Sequence, residues 1–250
     1  MLSIISRSGW GARPPAAPIP STTVSELYLH HSVGAGQVDK DGDGDRGDDY
    51  MRAMQAHHMD VRGWDDIAYN HAHDPDGREF YVGRGFEKRP GAQRNHNTGT
   101  HALVVMGDFT KRAVTPQLIA DIASFYHQAQ VAGLLPRVPV RGHRDAPDQG
   151  TTCPGSHLYA ALPAINKTIN ALHEEDDMPL SEDDIIKVRN AVLSAFIGNS
   201  GLTLAQMIQN THSYARQDLM NGDGLKELGS AELTAIARAV ADEQHRRQAE

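Results

Sequence analysis

The chain predicts an α/β domain, a central mixed sheet with helices on both faces, followed by a small C-terminal helical module. Three observations predict this. Strand-like and helix-like segments alternate up to about residue 172, and a continuous apolar run lies among them. After the stretch "HEEDDMPLSEDD" at 173–184 only helical periodicity appears. That stretch holds seven acidic residues and no Lys or Arg, so it reads as a solvated linker between 1–172 and 185–250.

The elements follow in order. "SELYLHHSV" (25–33) is a short apolar strand ending in polar residues. "DYMRAMQAHHMDV" (49–61) predicts a helix whose stripe is Tyr50, Met54, His58 and Val61. "DIAYNHAH" and "REFYVGRG" form a hairpin across the turn "DPDG" at 74–77. "HALVVMGDF" (101–109) predicts a central strand covered on both faces. Over 115–134 the helix signals are complete, with Thr115 as N-cap, Pro116 at the first helical position and Gly133 as stop. Its stripe is Leu118, Ile122, Phe125 and Ala129. "VPVRGH" (138–143) is a last short strand that delivers His143 to a loop, and "CPGS" opens a helix running through Leu158 and Leu162. Beyond the linker, Ser181 and Asp184 form a capping box, and stripes through Ile185, Val188, Val192 and Phe196, then Leu204, then Leu233 and Val240 predict three helices.

Composition removes several classes of function. A net charge of −8 argues against non-specific binding to nucleic acid or to an anionic membrane. The longest apolar run, Ala102–Met106, is far too short to insert across a bilayer. A single cysteine excludes an intramolecular disulfide. The start "MLSIISRSGWGARPP" meets Arg7 and Gly9 before a signal-peptide core could develop. The expectation is a protein without a signal peptide.

That cysteine, Cys153, follows His143 by ten positions, and His30/His31 end another strand. Two imidazoles and a thiolate gathered from strand ends suit zinc with an open fourth position, the arrangement of catalytic sites. The helix opening just beyond Cys153 favours a thiolate. The other reading of Cys153 is a small buried hydrophobe. "DKDGDGDRGDD" (39–49) places Asp39, Asp41, Asp43 and Gly44 as an EF-hand loop would, but its twelfth position is Tyr50 rather than Glu. Calcium and a flexible acidic loop both stand as readings.

Six stretches occur in one order: "SRSGWGARPP", "LHHS", "MRAMQAHHMDVRGWDDIAYN", "DPDGREFYVGRGF", "HNTGTHALVVMGDF" and "GHRDAPDQGTTCPG". Together, over about residues 4–165, the chain resembles the peptidoglycan recognition protein and type 2 N-acetylmuramoyl-L-alanine amidase family, which includes phage endolysins. The resemblance implies a Zn2+ amidase acting on bacterial peptidoglycan, with His30, His143 and Cys153 as metal ligands. The family uses the first His of such a pair, and on a strand His30 and His31 point to opposite faces. His31 shares its face with Leu27 and Leu29 and is read as packing.

The family's catalytic tyrosine falls on Tyr69, an oxyanion donor, and Thr151 takes a supporting place two residues before Cys153. His96 and Asn97 match a loop bordering the family's substrate groove and are carried as substrate contacts. The segment from His143 to Cys153 is longer than is usual in the family, with "APDQG" as the extra loop. His71 and His73 alternate onto the strand face of Tyr69, which would line the cleft or leave them solvated. With the ligands complete before residue 160, the 185–250 module is expected to bind the wall or to form a homo-oligomer. The expected setting is a phage endolysin made in the host cytoplasm and acting on the cell wall. The rival in another class is a non-catalytic peptidoglycan-binding module, which the presence of all three ligands and Tyr69 disfavours.

Overall fold

The computed structural model describes residues 3–33 and 46–177. The chain divides into two compact units, Met1–His173 and Glu174–Glu250. The three helices expected after residue 181 and the calcium-type positions Asp39, Asp41, Asp43 and Gly44 lie outside the described residues.

Six strands form one mixed sheet: β1 (Ser3–Ile5), β2 (Glu26–His31), β3 (His71–Asp74), β4 (Glu79–Val82), β5 (Thr100–Val105) and β6 (Val140–Gly142). Their order is β1-β4-β3-β5-β2-β6, with only the β3–β4 hairpin antiparallel. Helix α1 (Arg46–Ala56) packs Met51 with Trp10, Ile67, Ala72, Tyr81 and Val104 on one face. On the other face, α2 (Pro116–Val131) and α3 (Ser156–Asp177) bury Leu118, Ile122, Phe125, Leu158, Leu162 and Ile165 against Leu27, Leu29, Leu103 and Val140. Every residue of β5 is buried, as an apolar strand between two helical layers must be.

The local signals explain the elements they belong to. Thr115 Oγ1 accepts the backbone N–H of Leu118 and caps α2, and Gly133 takes φ +70° just past its end. In the hairpin turn, Asp74 accepts the backbone N–H groups of Asp76 and Gly77.

One strand was not expected, and three expectations are corrected. The strand β1, three residues long, carries no periodic signal and exists because its backbone pairs with β4. The helix expected to run to Val61 loosens into a π-helical turn over His57–Val61. The wider turn shifts the phase, so Val61 is 71% exposed instead of completing the stripe. His173, expected in the linker, is buried and its Nε2 lies 2.7 Å from Gln130 Oε1, so α3 continues through the first acidic residues to Asp177.

The third concerns His71 and His73, which neither line a cleft nor meet solvent. Both are buried among aromatics, His71 beside Phe86 and Phe125, His73 stacked on Phe80. Residues before β3 are not strand, because Asn70 gives its side-chain N–H groups to the carbonyls of Gly85 and Lys88 and accepts the N–H of Ala102. The alternation therefore breaks, and Tyr69 falls on the face opposite His71.

Burial pushes His71 down from 6.5 to about 3, and burial also lowers His101, whose Nε2 lies 3.0 Å from His71 Nδ1. The folded protein holds these rings neutral while the unfolded chain protonates them near pH 6.5. More protons bind the unfolded state below that pH, so stability is complete above pH 6.5 and falls as pH drops toward about 3. Urea midpoints of chelator-treated protein should decrease steadily over that window. A flat profile would contradict the assignment of neutral buried rings.

Candidate metal centre

Parallel pairing of β2 with β6 sets Leu29 opposite Gly142, so the next residues, His30 near the end of β2 and His143 just past β6, lie side by side. Carboxyl ends of parallel strands are where α/β sheets collect functional groups. Cys153 joins them from the loop before α3. That loop comes close because residue 142 is glycine: a Cβ there would lie 2.7 Å from the Tyr159 ring and 2.9 Å from Pro154 Cδ. Gly155, at φ +85°, packs its Cα side on the Phe109 backbone, where a Cβ would lie within 2.5 Å.

The result is a cluster in which ligand atoms of His30, His143 and Cys153 all lie within 4.8 Å of one another. His30 Nδ1 is 3.7 Å from Cys153 Sγ, and the His30 and His143 ring centroids are 4.4 Å apart. Cys153 Sγ also accepts the backbone N–H of His31 at 3.4 Å.

Burial, with the neighbouring histidines, holds His30 well below its ordinary value, and burial lowers His143 as well. Both rings are therefore neutral at physiological pH, the state that has a lone pair for a metal. Burial pushes the Cys153 thiol up to about 12, against weaker opposing effects of the His31 N–H and Arg144. A cation beside the sulfur would reverse that balance and draw out the thiolate. Two neutral imidazoles and one thiol, half-buried to buried, are a donor set that fits zinc with a fourth position left open.

Tyr69 stands against this cluster, its ring centroid 5.3 Å from that of His30. His58 also meets the Tyr69 ring edge-on, at 5.8 Å, and stacks in turn on Trp64. Burial raises the Tyr69 phenol far above its ordinary value, with Cys153 and Tyr50 adding to the effect. The hydroxyl therefore keeps its proton, and it has no hydrogen-bond partner among the described residues. Thr151 Oγ1 accepts the N–H of Cys153 at 3.1 Å and so shapes the loop carrying the cysteine.

His31 faces the other way. Its Nδ1 accepts the N–H of Phe109 at 3.2 Å in the core beneath the sheet.

His96 and Asn97 are not brought to the cluster. His96 Nε2 lies 2.7 Å from Glu26 at the start of β2, whereas His30 is near that strand's end. The His96 hydrogen bond, followed by that of Tyr28, holds the Glu26 carboxyl below its ordinary value. Asn97 Oδ1 accepts the N–H of Gln93 at 2.8 Å, and its carbonyl accepts from Thr100 Oγ1. Both residues build the loop that carries Gln93.

Two residues not singled out by the sequence reach the ligands. The Gln93 amide lies 3.0 Å from His30 Nε2, and Gln149 Oε1 lies 3.1 Å from His143 Nε2. Neither sits in a periodic segment. The only sign of Gln149 was the extra loop "APDQG" that carries it.

No family model matches the chain. Individual proteins do. It is 30% identical over 166 residues to peptidoglycan-recognition protein LB of Drosophila melanogaster, covering 64% of this chain and 67% of that protein. It is 32% identical over 164 residues to an N-acetylmuramoyl-L-alanine amidase of Sus scrofa, covering 64% of this chain and 27% of that protein. The chain thus spans about a quarter of the mammalian amidase it matches. Among solved structures, Drosophila PGRP-LB superposes with a TM-score of 0.58 at 28% identity, covering 66% of this chain and 94% of that one. Human PGRP-IβC in complex with glycosamyl muramyl pentapeptide does so at 0.56 and 25%, covering 64% and 94%. Sequence identity and superposition agree, and the chain belongs to the peptidoglycan recognition protein and type 2 N-acetylmuramoyl-L-alanine amidase family.

Proposed function

We propose that the chain is a zinc-dependent N-acetylmuramoyl-L-alanine amidase, which hydrolyses the amide between N-acetylmuramic acid and the L-alanine of the peptidoglycan stem peptide. The observation that carries this reading is the convergence of His30, His143 and Cys153 within 4.8 Å beside Tyr69. The muramyl pentapeptide bound by one structural neighbour supports a muramyl peptide as substrate class.

Zinc held by His30, His143 and Cys153 would supply a Lewis acid that activates water near neutral pH and polarises the scissile carbonyl. Tyr69 keeps its proton and donates a hydrogen bond to the oxygen that becomes negative as the carbonyl turns tetrahedral. Thr151, fixed by the Cys153 N–H, offers its own hydroxyl hydrogen as an uncharged second donor. The buried His30 ring beside Tyr69 lowers the local dielectric and strengthens the Tyr69 bond over its value in water.

The test uses full-length protein stripped by chelator and then reloaded with zinc, given a muramyl peptide. Hydrolysis that appears on reloading is expected. Retention of the peptide without hydrolysis in either state would make the chain a binding module instead. We also propose a bacteriophage endolysin as the setting, with 185–250 serving wall binding or self-association. Expression in a bacterium together with a membrane-permeabilising protein should lyse the host, and intact cells would contradict that setting.

A further inference from the structure

We propose that Gln93 and Gln149 lock both histidines of the cluster in one tautomer, with the hydrogen on Nε2 and the lone pair on Nδ1 facing the shared centre. Gln93 acts from the 93–97 loop and Gln149 from the loop between His143 and Cys153, held to the first by Arg94. The tautomer assignment stands on hydrogen bonding alone, and its consequence for metal affinity rests on the zinc reading above.

The orientation of Gln149 is fixed by the backbone around it. Its Nε2 lies 2.7 Å from the Arg94 carbonyl and 2.9 Å from the Pro147 carbonyl, so both amide hydrogens are used. Its Oε1 accepts the Arg94 N–H at 3.2 Å. A half turn of the amide would set oxygen against two carbonyls and N–H against N–H. Oε1 therefore faces His143 Nε2 at 3.1 Å, and that ring nitrogen has to be the donor. A neutral imidazole has one N–H, so Nδ1 of His143 holds a lone pair.

Gln93 is settled by Thr100. The Thr100 hydroxyl has a single hydrogen, and the Asn97 carbonyl, 3.0 Å away, takes it. The far end of the Gln93 amide lies 3.4 Å from the same hydroxyl oxygen. With its oxygen there, Gln93 would compete with Asn97 for one hydrogen. With its nitrogen there, it donates to Thr100, and the Thr100 hydrogen goes to Asn97 without competition. Amide oxygen and nitrogen exchange places by a half turn. Oε1 then meets His30 Nε2 at 3.0 Å, Nε2 carries the hydrogen, and Nδ1 presents its lone pair toward Cys153 Sγ at 3.7 Å.

One short loop thus governs both rings, through the Gln93 side chain and through the Arg94 backbone that grips Gln149. Asn97 Oδ1 on the Gln93 N–H, and the His96 N–H on the Gln93 carbonyl, close the loop on itself. This gives His96 and Asn97 a positioning function at a distance from the cluster.

The experiment is long-range 1H–15N spectroscopy on metal-free, full-length protein near neutral pH, with His30→Ala and His143→Ala identifying the two rings. Both rings should show the Nε2–H pattern. Gln149→Ala should leave His143 a mixture of tautomers and weaken zinc binding about 10- to 100-fold in chelator competition. An Nδ1–H pattern at either ring, or a Gln149→Ala protein unchanged in tautomer and in affinity, would overturn the proposal. If both rings show Nε2–H while the wild-type chain takes up no zinc, the metal reading falls and the tautomer assignment stands.

Discussion

Cys153→Ser should strip the chain of zinc and abolish amide hydrolysis while leaving the fold intact. The substitution replaces the only anionic donor of the cluster by a hydroxyl that does not ionise, leaving two neutral imidazoles. Little else depends on the sulfur. Cys153 belongs to neither apolar cluster, and outside the cluster its sulfur makes only long bonds to the His31 N–H at 3.4 Å and the His31 carbonyl at 3.9 Å, which a serine hydroxyl can replace. Metal analysis after dialysis should find about one zinc per wild-type chain and almost none in the variant. Circular dichroism and the urea midpoint of metal-free protein should coincide for the two. Unchanged zinc and activity in the serine variant would remove Cys153 from the site.

Tyr69→Phe should lose turnover by about 100-fold or more while keeping zinc, because one oxyanion donor disappears and nothing else does. The phenol makes no hydrogen bond among the described residues, so phenylalanine leaves no partner unsatisfied and keeps the ring contacts with His30 and His58. The loss should fall on kcat, with KM for a muramyl peptide changing little, since the bond strengthens only as charge develops. Near-normal turnover in the variant would rule out the donor role.

What could be read from the sequence was what is encoded locally. Thr115, Pro116 and Gly133 bracket α2, "DPDG" makes the β3–β4 turn, and the apolar run at 101–105 is buried throughout as β5. The candidate metal residues were legible through the ordered motifs of the resemblance, and the β2–β6 register places two of them, His30 and His143, together. What stayed hidden depends on contacts distant in sequence. Pairing with β4, more than seventy positions away, creates β1. Asn70 breaks the alternation that would have put His71 and Tyr69 on one face, through bonds to Gly85, Lys88 and Ala102. Gln93 lies outside the quoted stretches, Gln149 sits in the inserted "APDQG" of one, and neither belongs to a periodic segment. Their meaning appears only once the 93–97 loop is folded against the loop from His143 to Cys153.

The bond that is cut in purified peptidoglycan decides between amidase and glycan-cleaving chemistry. Incubation with the zinc-loaded, full-length chain should produce new L-alanine amino termini and no new reducing sugars, and Cys153→Ser should produce neither. New reducing sugars without L-alanine termini would contradict the account, since they would place the cleavage in the glycan strand instead of at the muramoyl amide.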